Sequence, residues 1–111
     1  MKTCFFIGHN ELWDREISLF AAVFAECMEL IRDKGVDTFY LGGCGRFDKV
    51  CAEAVREIKC LKPEIKMHET DRDEETVDDS DYIIAYARHS RGAAGKILKY
   101  ARSKDKAIIY L

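Results

Sequence analysis

Thr38-Phe39-Tyr40-Leu41-Gly42-Gly43-Cys44-Gly45-Arg46-Phe47-Asp48 is the stretch whose reading decides the fold. A run of strand-forming residues stops at three glycines, and a pattern of helical spacing begins at Phe47. Glycines let the backbone turn sharply and approach a ligand closely. The helix that follows offers unpaired amides and a partial positive charge, so the junction reads as a phosphate cradle. Its spacing, Gly-Gly-x-Gly with no later glycine, departs from the dinucleotide fingerprint. No Lys-Ser or Lys-Thr follows the glycines, so it is not a P-loop.

Upstream of this junction, Thr3 to Ile7 is a short apolar run ending at Gly8, which fits a strand buried on both faces. Gly8-His9-Asn10 forms the first loop. From about Asp14 to Lys34, Ile17, Phe20, Phe24, Cys27 and Ile31 recur at steps of three or four and are expected to form the inward face of a helix. Gly35 ends that helix after Arg32 and Lys34. Trp13, just ahead of it, could cover a base by stacking or anchor the helix in the core, and reads first as the anchor.

Downstream, a helix over Phe47 to Leu61 would bury Phe47, Val50, Cys51, Ala54, Ile58 and Leu61, and Pro63 closes it. Ile65 to His68 alternates in polarity, as in an edge strand. Asp71 to Asp81 is acidic and reads as a loop with one helical turn around Glu74 to Val77. Asp81 to Tyr86 is a buried strand, and Ala87 to Gly92 is the loop into the last helix, with ligand contact expected from Ser90 to Gly95. A helix over Ala93 to Ser103 points Ala94, Ile97, Leu98 and Ala101 inward, and Ala107 to Leu111 is the fifth strand.

Strand and helix alternate throughout, and parallel strands need crossovers of this kind. The fold class is therefore α/β: a single domain over residues 1–111, a three-layer α/β/α Rossmann-like sandwich around a five-stranded parallel sheet in the order 3-2-1-4-5. Right-handed crossovers put the first two helices on one face and the last on the other. Ligands of such sheets bind outside the carboxyl ends of the strands at the switch point. That places Gly8, His9 and Asn10, the run Gly42, Gly43, Cys44, Gly45, Arg46, Phe47 and Asp48, and Ser90, Arg91, Gly92 and Gly95 around one ligand. Asp48, at a helix start, is the candidate for any catalytic role, with Glu53 further along the same helix. Only one full helix is available for the second face of the sheet, and this thin cover predicts a homodimer.

A net charge of −2 with acids and bases interleaved argues against duplex nucleic acid or an anionic membrane as partner. Five cysteines form no Cys-x-x-Cys pair, and three histidines, His9, His68 and His89, lack the spacing of a metal site. No metal and no cofactor is expected. The opening residues are too short an apolar run for a signal peptide or spanning helix, and with unpaired cysteines the expected compartment is the reducing cytoplasm.

Three signatures in order carry a resemblance: Cys4-Phe5-Phe6-Ile7-Gly8-His9, then Gly42-Gly43-Cys44-Gly45-Arg46-Phe47-Asp48, then Asp81-Tyr82-Ile83-Ile84-Ala85-Tyr86 with Gly92-Ala93-Ala94-Gly95-Lys96. Together they resemble the SLOG superfamily, the Rossmann-like group named for the Smf/DprA and lonely-guy proteins, and in particular its small bacterial and phage members. The resemblance implies binding of a nucleotide or nucleotide-derived ligand, with Gly42, Gly43 and Gly45 on its phosphate and Asp48 facing it. Lonely-guy enzymes cleave the N-glycosidic bond of nucleoside monophosphates, whereas other relatives are sensors or bind single-stranded DNA. Two departures stand out. Asn10 occupies the place where many small relatives carry Arg after Gly-His, and Arg46 and Lys49 stand where the lonely-guy pattern has Thr and Glu. The expectation is thus a binding domain with a sensing, sequestering or accessory role; the alternatives are a nucleotide N-glycosidase and a structural dimer module without ligand.

Overall fold

A computed structural model describes residues 1–43, 45–88 and 90–111. Cys44 and His89, both expected in ligand-facing loops, lie outside the described residues. The chain runs β1 (Thr3–Gly8), α1 (Glu16–Lys34), β2 (Thr38–Leu41), α2 (Arg46–Leu61), β3 (Lys66–Glu69), α3 (Asp73–Asp79), β4 (Tyr82–Tyr86), α4 (Gly92–Ser103) and β5 (Ala107–Tyr110). All strand pairs are parallel, and the order is β3-β2-β1-β4-β5. Phe5 of the central strand stands between Tyr40 of β2 and Ile83 of β4.

Side chains alternate across a strand, so β1 serves two cores at once. Cys4 and Phe6 join Phe39, Leu41, Ile84 and Tyr86 under α1 and α2. Phe5 and Ile7 join Ile83 and Ala85 under α4, with Val77 of α3. The result is three layers, as expected. Burial pushes the thiols of Cys4, Cys27 and Cys51 well above their ordinary value of 9.0, so these are packing groups in this fold.

Four local expectations need correction. The buried residues of α1 are Leu19, Val23, Cys27 and Leu30. Of the expected face only Cys27 is fully buried; Phe20, Phe24 and Ile31 flank the core, and Ile17 is 76 % exposed. Leu19 to Ala25 is apolar without interruption, so composition alone leaves the rotational phase of the helix open, and packing on the sheet sets it. In α2 the end of the expected stripe fails: Leu61 is exposed, and Val55 takes the extra buried place. The acidic segment is more than a turn. Asp73, Glu74 and Glu75 occupy the first turn of α3, where the helix dipole favours carboxylates, and Thr76 and Val77 are buried. The second face of the sheet therefore carries both α3 and α4.

β3 sits at the sheet edge with mostly exposed residues, as its alternation implies. α1 ends at Gly35, whose φ of 72° suits glycine and whose amide donates to the Leu30 carbonyl.

Candidate functional site

Strand β1 ends against α2 more closely than any side chain permits. A Cβ on Gly8 would come within 2.1 Å of the Phe47 ring. Phe47 is fully buried and stacks on Tyr86, centroids 5.3 Å apart and planes 15° apart. This glycine, ring and ring sequence brings the ends of β1 and β4 and the start of α2 into one corner.

Tyr86 then fixes the first loop. Its buried hydroxyl accepts from the amides of Trp13 at 2.8 Å and Asp14 at 3.2 Å, and donates to Asp14 Oδ2 at 2.8 Å. Arg88 lies over the same ring, 4.4 Å from its centroid, and donates to Asp14 Oδ2 and the Leu111 carbonyl, each at 2.6 Å. The hydrogen bond from Tyr86, followed by that from Arg88, holds the Asp14 carboxyl below its ordinary value of 3.8. Tyr86→Phe strips three hydrogen bonds from this corner while keeping the ring. Its expected cost is about 1–3 kcal/mol, measured by urea unfolding, because two amides lose their acceptor. The Asp14 contribution is present above 3.8 and is lost as pH falls through the depressed folded value, so the gap between wild type and Tyr86→Phe should narrow in acid.

His9 is 7 % exposed. Its Nε2 accepts from the Arg88 amide at 2.9 Å, and its own amide donates to the Tyr86 carbonyl at 3.3 Å. That nitrogen is committed to joining the loop after β1 to the loop after β4, so His9 is a positioning residue. Trp13 packs edge-on to His9 at 5.1 Å. It is 51 % exposed, which corrects the expectation of a core anchor.

At the glycine junction Gly43 and Gly45 adopt φ of 78° and 86°, conformations that disfavour a side chain. A Cβ on Gly45 would meet Asn10 Oδ1 at 2.5 Å, and the Arg46 amide donates to the Asn10 carbonyl at 3.2 Å. The first loop thus already uses one amide at the start of α2. Carboxylates crowd the rest. Asp48 Oδ2 would lie 3.1 Å from a Cβ on Gly42, and Glu69 Oε2 would lie 3.4 Å from one on Gly43. The Arg46 guanidinium turns outward to Glu16 at 3.5 Å, with both side chains well exposed.

The junction before α4 differs in charge. Gly95 packs so tightly that a Cβ would sit 2.0 Å from the Ser90 carbonyl oxygen. The side chain of Arg91, at the N-cap, makes no cap hydrogen bond, and the first turn of the helix holds no acidic residue.

These loops enclose a crevice of about 240 Å³ at the carboxyl ends of the strands, lined on its polar side by Gly8, Asn10, Gly42, Asp48, Asp71 and Asp73 and on its apolar side by Ala93, Ala94 and Ile97 among others. Gly8, Asn10, Ala93 and Ala94 also line an adjoining space of about 270 Å³, which adds His9, Glu11, Trp13, Arg91 and Gly92. Partial burial, with the charge of Asp71 beside it, lifts the Asp73 carboxyl above its ordinary value.

Of the expected contact residues, Gly8, His9, Asn10, Gly42, Asp48, Arg91 and Gly92 line this joined crevice. Gly43, Gly45 and Asp48 line a third space on the outer side of α2, with Glu69 and Lys49. Phe47 is core, Gly95 is a packing contact, Ser90 is exposed, and Arg46 faces Glu16. Asp71, Asp73 and the set of Asp14, Tyr86 and Arg88 were missed by sequence reasoning. The one available signal was position, since each follows a strand end or faces a residue that does. Among the described residues no group of three or more His, Cys, Asp or Glu could hold a metal ion, and no helix is long and apolar enough to cross a membrane. Compared with models of known protein families and with curated proteins, the chain matches none.

Proposed function

We propose that this protein binds a nucleotide or nucleotide-derived phosphate ligand across the joined crevice, in a sensing, sequestering or accessory role. The resemblance of its strand-end motifs to the SLOG superfamily supports the ligand class. The charge pattern supports an orientation. Asp48, Asp71 and Asp73 would repel a phosphate but accept hydrogen bonds from ribose hydroxyls, so the sugar lies toward Asp48. The phosphate lies toward the start of α4, where a helix N-terminus favours negative charge and the first turn has no carboxylate. Trp13, half-exposed in the adjoining space, is placed to stack against a base. The observation that carries the reading is this convergence of Asp48, Trp13 and the start of α4 on one crevice at the switch point.

A thermal-shift series with nucleoside monophosphates tests it. A ligand specific to the folded chain at about 100 times its Kd adds about 2.7 kcal/mol, which is roughly ten degrees in Tm for a domain of this size. Asp48→Ala is expected to weaken binding by about tenfold, the loss of one hydrogen bond to a charged group. An unchanged melting temperature across the series contradicts the reading and favours a module without ligand.

N-glycosidic cleavage is a second reading, favoured by Asp48 and Asp73 lying in the same crevice with the Asp73 carboxyl raised. A carboxyl whose hold on its proton is strengthened and another placed against the ribose are the two groups such a reaction uses. Free base released from a nucleoside monophosphate, and abolished by Asp73→Asn, would establish it. Self-association and a cytoplasmic setting remain part of the proposal; the free thiols of Cys4, Cys27, Cys51 and Cys60 suit a reducing compartment.

A further inference from the structure

Two hydrogen bonds of Arg88 tie the loop after β4 to the loop after β1. The guanidinium donates to Asp14 Oδ2 at 2.6 Å, and the amide donates to His9 Nε2 at 2.9 Å. The two ties answer acid differently. Hydrogen bonds from Tyr86 and then from Arg88 hold the Asp14 carboxyl below its ordinary value of 3.8, so it keeps its charge across the neutral range. An imidazole ordinarily changes charge between about pH 5 and pH 8. Nε2 accepts only while it carries no proton, which leaves the single proton of the neutral ring on Nδ1. A second proton sets two donors against each other across the same 2.9 Å.

The surroundings of the ring leave this bond in control. Glu11 and Arg91 line the same space as His9, and Asp14 meets Arg88 beside Tyr86, whose ring centroid is 6.4 Å from that of His9. Asp48, from α2, lines the adjoining crevice. Carboxylates and guanidiniums thus face the ring together and largely offset one another. The ring itself is packed by Trp13 and Tyr86 and is 7 % exposed, a setting that opposes a charge directed at a donor.

We infer that His9 is a proton-operated latch between the two crevice loops: the neutral ring holds the backbone of Arg88, and the protonated ring releases it. The freed loop runs directly into Arg91 and Gly92 at the start of α4, the end of the crevice proposed to take phosphate. The latch acts without a ligand; its effect on binding rests on the nucleotide reading. Linkage gives the sign and size. The latched form keeps the ring neutral, whereas a released ring takes up a proton as an ordinary imidazole does, near about pH 6.5. Latching is therefore insensitive to pH above that value and weakens below it, by up to about tenfold in its equilibrium per pH unit.

Nuclear magnetic resonance of the full chain, labelled with nitrogen-15 and titrated without ligand from about pH 8 to about pH 5, tests the latch across the range in which imidazoles change charge. At the alkaline end His9 should carry its proton on Nδ1, with Nε2 bare and the Arg88 amide proton shifted downfield. On acidification the Arg88 amide should move upfield together with the His9 ring signals. In His9→Gln, whose side-chain carbonyl can take the same amide without titrating, it should stay in place. A neutral His9 with its proton on Nε2 overturns the inference. So does a ring that titrates while the Arg88 amide stays still, or a ring that remains neutral at the acid end. These outcomes are read from the wild type alone, so they stand even if His9→Gln fails to fold. Nucleoside monophosphate affinity then reads the crevice. Between neutrality and about one pH unit below 6.5, the wild type should lose up to about tenfold more than His9→Gln, a comparison that cancels the titration of the phosphate itself. Equal losses overturn the link from latch to crevice. Absence of binding to either protein at any pH contradicts the nucleotide reading and leaves the latch to the resonance titration.

Discussion

Phe47→Ala is expected to cost about 3–5 kcal/mol, the usual range for truncating a buried aromatic side chain. That is a large part of the roughly 5–15 kcal/mol that holds a domain of this size together. The ring is fully buried, stacks on Tyr86 and fills the space over Gly8, where a Cβ would be 2.1 Å away. Its loss opens a cavity under the corner from which both crevice loops depart. Urea unfolding measures the cost. Gly8→Ala tests the same contact from the other side: it overpacks the corner and is expected to cost about 1–3 kcal/mol. In the double variant the removed ring makes room for the added methyl, so the combined loss should fall well short of the sum of the two. Additive losses would mean that Gly8 and Phe47 do not share one space.

Gly95→Ala is the second large effect, and Gly92→Ala shows why. At Gly92 the backbone has φ of 79° but a Cβ meets nothing within 4 Å. The penalty there is the left-handed conformation alone, about 1–2 kcal/mol. At Gly95 the angle is ordinary, but a Cβ would fall 2.0 Å from the carbonyl oxygen of Ser90. Backbone cannot rotate aside as a long side chain does, so the start of α4 must lift from the loop after β4. We expect a loss at or above the upper end of the roughly 1–3 kcal/mol seen for overpacking. Thermal unfolding of both variants should rank Gly95→Ala as the more damaging, with a parallel loss of nucleotide affinity as the α4 end of the crevice moves. A reversed ranking would show that backbone strain outweighs the contact with Ser90.

The sheet order was legible because the signals were local and agreed with one another. A short apolar run ending in glycine marks β1, a glycine junction divides β2 from α2, and strands alternate with helices, which leaves few topologies open. The phase of α1 was not legible. With Leu19 to Ala25 apolar throughout, Ile17 and Phe24 read as core as plausibly as Leu19 and Val23, and only contact with the sheet separates them. α3 was hidden by its charge, since a helix held by two buried residues and a favourable dipole resembles a solvated loop.

Part of the site followed from the same local signals, namely Gly8, His9, Asn10, Gly42, Asp48, Arg91 and Gly92. The rest depends on which loops become neighbours. Asp71 and Asp73 enter the crevice only because the chain after β3 returns over the strand ends, and Asp14 meets Arg88 across 74 residues of sequence. Trp13 reads from the sequence as an anchor of the first helix, whereas Tyr86 holds its amide and leaves much of the indole exposed.

That exposure supplies the most direct test of the central claim that the crevice takes a nucleotide. Trp13 is the single tryptophan of the chain and lines the crevice, so its emission reports on that wall alone. Titration with nucleoside monophosphates should give a saturable change in Trp13 fluorescence, weakened in Asp48→Ala and shifted little by a sugar-free base. Emission that stays flat to millimolar nucleotide, in a protein whose melting temperature is likewise unmoved, would contradict the account.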